Sequence, residues 1–180
     1  MEESRIALLR GVNVGGANRV AMADVRAALE AAGFSSVRSL LQSGNFVFQA
    51  DISDEAEIEA KIEAALEKRL GLKVDAVVRT ASAWRAMIAA NPMPEAAARD
   101  PGRFVAVTLK RPPSPDAEEA LAAVPGPEEA RVIGREAFIW YPNGQADTKL
   151  AGAALDRALG ARGTARNWNT VLKLAALAGT

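Results

Sequence analysis

The order of apolar segments along the first 80 residues constrains the fold of this chain more than any other feature. Apolar residues recur at helical spacing in two segments and form short runs in four others. The predicted order is a strand at 5–14, a helix at 22–32, strands at 36–41 and 45–50, a helix from Asp54 to Gly71 and a strand at 73–79. This β-α-β-β-α-β order is that of the split βαβ, or ferredoxin-like, unit.

The second half repeats this order in outline. A third helix, with Ser82 as its predicted N-cap, precedes a Pro-rich connection. Beyond it lie a strand at 104–110, a helix start at Ser114-Pro115, a hairpin at 130–134 and 136–141, and two final helices. We predict an α+β fold of two ferredoxin-like halves, the second βαββα with a C-terminal helix in place of the last strand. The predicted bounds are 1–90 for the first half, 91–103 for a linker and 104–180 for the second half.

Composition excludes several kinds of chemistry. The chain has no Cys and no His, which excludes thiolate nucleophiles, Ser-His-Asp hydrolysis and Cys- or His-ligated metals, so we predict no metal site. It has 22 basic and 22 acidic residues, which counts against a long phosphate-tracking groove for nucleic acid. Neither a signal peptide nor a membrane-length apolar run is present, and we expect a soluble cytoplasmic protein with no membrane partner.

The stretch LLRGVNVGGANRV, residues 8–20, places two consecutive glycines between the first strand and the first helix. Backbone N–H groups in such a turn can bind an anion, and a helix N-terminus adds to the attraction. The candidate ligand-binding residues of this stretch are Arg10, Asn13, Gly15, Gly16 and Arg19. The alternative is an ordinary connecting loop that needs glycine for its backbone conformation.

A second polar turn, QSGNFVF at residues 42–48, follows the second strand and contributes Ser43 and Asn45 as candidates. The alternative is a hairpin turn without a ligand. Ser43 is not predicted to be a nucleophile, because no base can be assigned to it. In a ferredoxin-like unit we expect this turn and the loop after the first strand to lie at opposite ends of neighbouring strands.

The C-terminal stretch, residues 163–179, combines a buried helix face with a polar start. Spacing predicts that Trp168, Val171, Leu172 and Ala175 pack inward. Ahead of them, Asn167 or Thr164 is expected to cap the helix.

Other polar residues of the C-terminal region remain as ligand candidates. Arg166 at a helix N-terminus is unfavourable without a negative partner, which would be a bound anion or Asp147. Asn169 and Lys173 are one helical turn apart. Lys149 is expected in the first turn of a helix capped by Thr148 or Asp147. Arg166 is predicted to lie beside Gly15.

Several motifs in this order resemble domain-of-unknown-function family 1697. The matching residues are Arg10, Gly11, Asn13, Gly15, Gly16, Met22, Ser43, Gly44, Asn45, Lys149, Arg166, Asn167, Trp168, Asn169, Thr170 and Lys173. The resemblance implies an α+β fold of two ferredoxin-like halves and supplies no activity, cofactor or partner.

Four functions compete. The first is a module that binds a small anionic or nucleotide-like ligand. The second is nucleic-acid binding through aromatic residues of the sheets, namely Phe46, Phe48, Phe104, Phe138 and Trp140. The third is an enzyme in which Arg10, Arg166 or Lys173 stabilises an anion and Asp24, Asp147 or Asp156 acts as base. The fourth is a structural role, in which the polar residues join the two halves and bind no ligand.

Overall fold

A computed structural model of the chain describes residues 3–179. The chain divides into two compact units. The first comprises Met1–Ala86 with Leu174–Thr180, and the second comprises Met87–Lys173. The bounds predicted from the sequence for the two halves and their linker stay a prediction.

The first unit is a four-stranded antiparallel sheet with helices packed on it. Its elements are β1 (Arg5–Leu9), α1 (Met22–Ala31), β2 (Ser35–Leu40), β3 (Asn45–Gln49), α2 (Glu55–Leu70), β4 (Ala76–Thr80) and the start of α3 (Ala81–Ala89). The strand order in the sheet is β2-β3-β1-β4, and β1 is antiparallel to both β3 and β4. This is the predicted ferredoxin-like unit.

The core of the first unit lies between the sheet and helices α1 and α2. Val25, Leu29, Ile58 and Ile62 on the helices pack with sheet residues such as Phe48, and all are buried. Asp54 caps α2 as predicted, because its carboxylate accepts the Glu57 N–H at 2.8 Å.

Helix α3 begins at Ala81, two residues earlier than the predicted Ser82 cap implies. The Ala83 N–H donates to Thr80 Oγ1 at 3.0 Å, so Thr80 takes the place of Ser82 as the capping residue. The Ser82 N–H instead donates to the Glu3 carboxylate at 2.5 Å. Hydrogen bonds from the Ser82 side chain and backbone lower the pKa of Glu3.

The second unit has the same arrangement. Its elements are α4 (Pro94–Arg99), β5 (Phe104–Leu109), α5 (Ala117–Ala122), β6 (Glu129–Ile133), β7 (Glu136–Trp140), α6 (Gly152–Leu159), β8 (Gly163–Asn167) and the first part of α7 (Trp168–Ala178). Its strand order is β6-β7-β5-β8. Helix α4 lies inside segment 91–103, the segment predicted as a linker.

The second half keeps its last strand, and the prediction that a helix replaces it is wrong. Strand β8 pairs antiparallel with β5, with Arg166 opposite Ala106. The segment GTARN carries no apolar or β-branched run, which is why its strand character is weak in the sequence. Gly163 is the physical clue: a Cβ there would lie 2.7 Å from the Thr108 carbonyl oxygen, so only glycine permits this close approach.

The two faces of the second sheet differ in composition. Val105, Val107 and Ile139 form a buried core with helices α5 and α6. On the opposite face, Phe104 and Phe138 stack with centroids 6.3 Å apart, and Trp168 lies 5.2 Å from Phe104. No described helix is long and apolar enough to span a bilayer.

The prediction that Leu172 lies on the buried face of α7 is wrong. Trp168 and Val171 are buried and Ala175 is partly buried, but Leu172 is 45% exposed. Leu174 is fully buried instead: three residues after Val171, it lies on the same side of the helix as Trp168 and Val171, whereas Leu172 lies at the edge of that side.

Candidate functional site

The loop between β1 and α1 is built on residues with positive φ. Gly11, Asn13, Gly15, Gly16 and Asn18 all have φ between 48° and 81°. Gly15 and Gly16 are the central residues of a tight hairpin, closed by a hydrogen bond from the Ala17 N–H to the Val14 carbonyl at 3.0 Å. Positive φ at both central positions is typical of the type I′ turn. The glycine pair is therefore required by the turn, as the alternative interpretation expects.

Asparagine side chains hold this loop in shape. Asn13 Nδ2 donates to the Val20 carbonyl at 3.0 Å, and Asn13 Oδ1 accepts the Val20 N–H at 2.9 Å. Asn18 Nδ2 donates to the Gly11 carbonyl at 3.1 Å. These bonds bring the two ends of the loop together.

The β1–α1 loop and the β2–β3 turn lie at the same end of the sheet, so the expectation that they lie at opposite ends is wrong. Strand β3 is antiparallel to β1, and its first residue Asn45 pairs with Leu8 near the end of β1. The Leu9 N–H donates to the Gly44 carbonyl at 2.8 Å. Asn13 Nδ2 also donates to the Gln42 carbonyl at 2.7 Å, which ties the loop to the turn.

Ser43 and Asn45 shape the β2–β3 turn. Asn45 is fully buried, and its Nδ2 donates to the Leu40 carbonyl and to Ser43 Oγ, both at 2.9 Å. Gly44 has φ of 81°, and a Cβ there would lie 2.8 Å from Leu9 Cβ. Through these hydrogen bonds, the side chains of Ser43 and Asn45 stabilise the turn itself.

Arg19 is the exposed cation of the loop. A Cβ built on Gly16 would lie 3.9 Å from Arg19 Nη2, so the guanidinium lies beside the glycine turn. Arg19 makes no hydrogen bond or ion pair with any residue that the structure describes. It lines an open pocket of ≈ 450 Å³ together with Asn13, Gly16, Val20 and Ala21.

The same pocket meets the N-terminus of α1. Helix α1 begins at Met22, and its N-cap residue Ala21 has no side chain that could accept a hydrogen bond. The sequence signal for this feature is Ala21 at a position where Ser, Thr, Asp or Asn is preferred, and neither Ala21 nor Met22 was among the predicted site residues. The N-terminus of α1 therefore lacks a capping side chain.

Arg10, the remaining candidate of the first unit, is partly buried where β1 ends. Its backbone N–H donates to the Asp75 carbonyl at 2.9 Å, which continues the pairing between β1 and the residue just before β4. The structure therefore gives this position a role in the sheet.

In the second unit, Arg166 lies in strand β8 rather than in a helix. Its guanidinium donates to Thr164 Oγ1 at 2.7 Å and to the Ala165 carbonyl at 2.8 Å. Burial lowers the pKa of Arg166 to about 10, so the side chain keeps its charge at neutral pH. Asp147, the predicted internal partner, is exposed and makes no ion pair with the described residues.

Asn167 is the N-cap of α7. Of the two predicted caps, Asn167 and Thr164, the first is therefore confirmed. Its Oδ1 accepts the Thr170 N–H at 3.0 Å and the Thr170 hydroxyl at 3.2 Å. Asn169 and Lys173 follow it on the helix and are both exposed.

Lys149 does not lie in the first turn of a helix, because α6 begins at Gly152. It is exposed in the loop before that helix. The preceding Thr148 accepts the Leu150 N–H at 3.0 Å and donates to Glu128 at 2.6 Å, so it orders the loop without capping α6.

The candidates thus fall into two sets. The first unit holds Arg10, Asn13, Gly15, Gly16, Arg19, Ser43 and Asn45 at one end of its sheet. The second unit holds Lys149, Arg166, Asn167, Asn169 and Lys173. The placement of Arg166 beside Gly15 stays a prediction.

The aromatic residues of the sheets are not available for base stacking. Phe46, Phe48, Phe104 and Phe138 are at most 1% exposed. Trp140 is 7% exposed. Stacking on nucleobases needs accessible ring faces, so this burial counts against the nucleic-acid hypothesis. Residues 3–179 also contain no group of three acidic side chains that could hold a metal ion.

Comparison with known proteins supports the fold and the family. The chain is similar over 99% of its length to a conserved bacterial protein, SP0830, from Streptococcus pneumoniae, and covers 99% of that chain, with a TM-score of 0.71 and 21% identity. Comparison with curated proteins finds no match. The model of a family described as a protein of unknown function, DUF1697, matches residues 2–138. The chain therefore belongs to the DUF1697 family of proteins of unknown function.

Proposed function

We propose that the first unit binds a small anionic ligand in the pocket formed by the β1–α1 loop and the N-terminus of α1. The observation that carries this proposal is Arg19, an exposed arginine that has no partner among residues 3–179, lies beside the glycine turn and lines the pocket. A guanidinium and free backbone N–H groups together are typical of phosphate and carboxylate sites.

The helix supports an anion in the same place. The first N–H groups of a helix have no intrahelical partner, and α1 has no capping side chain to accept from them. The helix dipole adds a partial positive charge at this end. An anion in the pocket would therefore accept hydrogen bonds that the protein itself leaves unmade.

The side-chain hydrogen bonds across the loop favour a binding role over a purely connecting one. The side-chain bonds of Asn13 and Asn18 fix the loop before any ligand arrives. A preorganised site loses little conformational entropy on binding. We assign Asn13 and Asn45 to positioning the loop and turn, and Gly16 and Arg19 to contact with the ligand.

One charge near the pocket opposes an anion. Asp24 is exposed in the first turn of α1 and supplies part of the negative charge that the helix N-terminus favours. The substitution Asp24→Asn should therefore tighten anion binding by a small factor, about two- to fivefold.

Thermal unfolding with inorganic phosphate and pyrophosphate tests the proposal. A ligand present at about 100 times its Kd stabilises the folded state by about 2.7 kcal/mol. We expect the melting temperature of the wild-type protein to rise with either anion. Arg19→Ala should weaken binding by about tenfold or more, because a charged hydrogen bond contributes about 1.5–3 kcal/mol.

Arg38→Ala is the matched control. Arg38 is also an exposed arginine of the first unit, lies on β2 and does not line the pocket. This variant should keep the wild-type response to phosphate. Equal stabilisation of the wild type and Arg19→Ala by both anions would contradict the proposal, and so would the absence of any stabilisation.

A further inference from the structure

A second pocket lies entirely within the second unit, and of the residues singled out from the sequence it contains only Trp140, which was considered there for base stacking. It has a volume of ≈ 360 Å³, within the range of about 300–1,000 Å³ that is usual for small-molecule sites. Helix α4 and the strands β6 and β7 form its walls. The lining residues are Pro92, Met93, Pro94, Glu95, Ala96, Arg99, Glu129, Arg131 and Trp140.

The register of the β6–β7 hairpin places the charged residues of the pocket around one indole. Glu129 on β6 is directly opposite Trp140 on β7, and Arg131 is opposite Phe138. Because side chains alternate between the faces of a strand, Glu129, Arg131, Phe138 and Trp140 project from the same face of the sheet. This face is opposite the one that packs on α5 and α6.

Trp140 is a buried aromatic residue with an unmet donor. Its side chain is 7% exposed and lines the pocket. Its indole N–H has no hydrogen-bond acceptor among the described residues. The indole nitrogen is not among the fully buried atoms of residues 3–179 that lack a partner, so it remains accessible and can donate to a ligand in the pocket.

The charges around the indole have both signs and few partners. The guanidinium of Arg99 lies 5.8 Å from the centroid of the Trp140 ring, a cation–π contact. Apart from that contact, the side chains of Glu95, Arg99 and Glu129 make no hydrogen bond or ion pair with the described residues. Arg131 already pairs with Glu118 at 4.0 Å.

From this arrangement we infer that the pocket binds a small zwitterion, an α-amino acid with an apolar side chain. The ligand carboxylate accepts from Arg99 and from the Trp140 indole N–H. The ammonium group donates to Glu129 or Glu95. The apolar side chain packs on Met93 and the prolines beside it.

Nuclear magnetic resonance of the 15N-labelled protein tests this inference. The chain has three tryptophans and therefore three indole N–H signals. The signal missing from Trp140→Phe is that of Trp140. We expect L-leucine and L-phenylalanine, added at millimolar concentrations, to shift this signal in a saturable way.

Modified ligands test each charge. N-acetyl-L-phenylalanine lacks the cation and L-phenylalanine amide lacks the anion. Both should bind about tenfold or more weakly than L-phenylalanine, because each leaves a charged group of the pocket without its partner. Equal binding of either derivative would overturn the assignment to a zwitterion, as would a shift of the Trp140 signal by phosphate alone.

Variants test the residues. Arg99→Ala should weaken binding of L-phenylalanine by about tenfold or more. Arg111→Ala, which removes an exposed arginine of the same unit outside the pocket, should leave it unchanged. No shift of the Trp140 signal in the folded wild type, or an unchanged affinity in Arg99→Ala, would overturn the inference. Loss of amino-acid binding at the Trp140 pocket should leave phosphate binding at the β1–α1 loop unchanged. The two proposals can therefore fail independently of each other.

Discussion

At the residue scale, backbone conformation explains more of the polar loops than side-chain chemistry does. Gly15 and Gly44 both have positive φ, where a residue with a Cβ is strained. Their surroundings differ. A Cβ on Gly15 would meet nothing within 4 Å, whereas one on Gly44 would lie 2.8 Å from Leu9 Cβ. Glycine at position 15 is therefore required by backbone conformation alone, whereas glycine at position 44 is required by both backbone conformation and lack of space.

This difference predicts unequal costs for the same substitution. Gly15→Ala should lower the free energy of unfolding by about 1–2 kcal/mol, from backbone strain alone. Gly44→Ala should cost about 1–3 kcal/mol more, because the added methyl group also overpacks against Leu9. Urea unfolding followed by circular dichroism measures both values. Equal costs would show that the contact with Leu9 relaxes freely.

Tyr141 links a single side chain to the pH dependence of stability. Burial raises its pKa above the ordinary value of 10.0, and the negative charge of Glu128 raises it further. The unfolded chain loses this proton at lower pH than the folded protein. The contribution to stability is therefore complete below about pH 10 and is lost as the pH rises above that value.

The ultraviolet absorbance of tyrosinate tests this linkage directly, because Tyr141 is the only tyrosine. The folded protein should titrate well above pH 10, and the chain in denaturant should titrate near about 10. Tyr141→Phe loses the hydrogen bond to the Leu150 carbonyl at 2.9 Å and should cost about 1 kcal/mol at pH 7. That variant should then lose less stability than the wild type in alkaline solution. A folded-state titration near pH 10 would contradict this prediction.

At the element scale, helix α2 protects the edge of the first sheet. Strand β4 is an edge strand, and its outward N–H groups have no neighbouring strand to accept from them. Glu59 accepts the Val78 N–H and Glu63 accepts the Ala76 N–H, both at 2.9 Å. Two carboxylates of one helix thus take the place of a fifth strand.

Glu59 provides the test, because it is buried. Glu59→Gln keeps an amide oxygen for the Val78 N–H, whereas Glu59→Ala leaves that donor buried and unpaired. Glu59→Ala should therefore be about 1–3 kcal/mol less stable than Glu59→Gln in urea unfolding. If the two variants have equal stability, the hydrogen bond to β4 contributes nothing.

The sequence predicts the regular elements well where helical or strand periodicity is strong. Helix α2, with its Asp54 cap and buried Ile58 and Ile62, is the clearest case. Strand β8 was missed because its stability comes from pairing with β5 and from the absence of a Cβ at Gly163, and neither leaves an apolar pattern. Periodicity is a local signal, and these are tertiary contacts.

Only part of the candidate site could be predicted, because the position of its residues depends on tertiary contacts in the same way. The glycine pair and Arg19 are visible in the sequence, but their position beside the β2–β3 turn depends on the antiparallel pairing of β1 with β3. Trp140 carries no motif. Its pocket depends on the register of the β6–β7 hairpin and on helix α4 within a segment that resembles a linker.

At the scale of the whole molecule, the first unit is discontinuous in sequence. It combines the N-terminal residues with the segment from Leu174 onward. Leu174 is fully buried, whereas Leu172, on the same helix, is 45% exposed. The part of α7 around Leu174 is therefore packed in the interior, and truncation of the chain before Leu174 should destabilise the protein.

A pair of substitutions separates these two leucines. Leu174→Ala should lower the free energy of unfolding by about 2–5 kcal/mol, the usual cost of emptying a buried leucine site. Leu172→Ala should change it by no more than about 0.5 kcal/mol, as is usual on a surface. Chemical unfolding of both variants under one set of conditions gives the comparison. Similar values would contradict the buried position of Leu174.

Neutral net charge also bears on function at this scale. With equal numbers of acidic and basic residues, the molecule as a whole has no field that steers anions toward it. Anion binding must then depend on local groups, and Arg19 with the N-terminus of α1 is the local arrangement that the first unit offers.

Titration of the 15N-labelled protein with inorganic phosphate tests whether Arg19 and the N-terminus of α1 bind an anion. We expect saturable shifts of the backbone amide signals of Gly15, Gly16, Met22 and Ala23, and the same titration of Arg19→Ala should give about tenfold weaker binding or none. Saturable shifts that leave these four amides unmoved, or shifts at them that persist unchanged in Arg19→Ala, would contradict it.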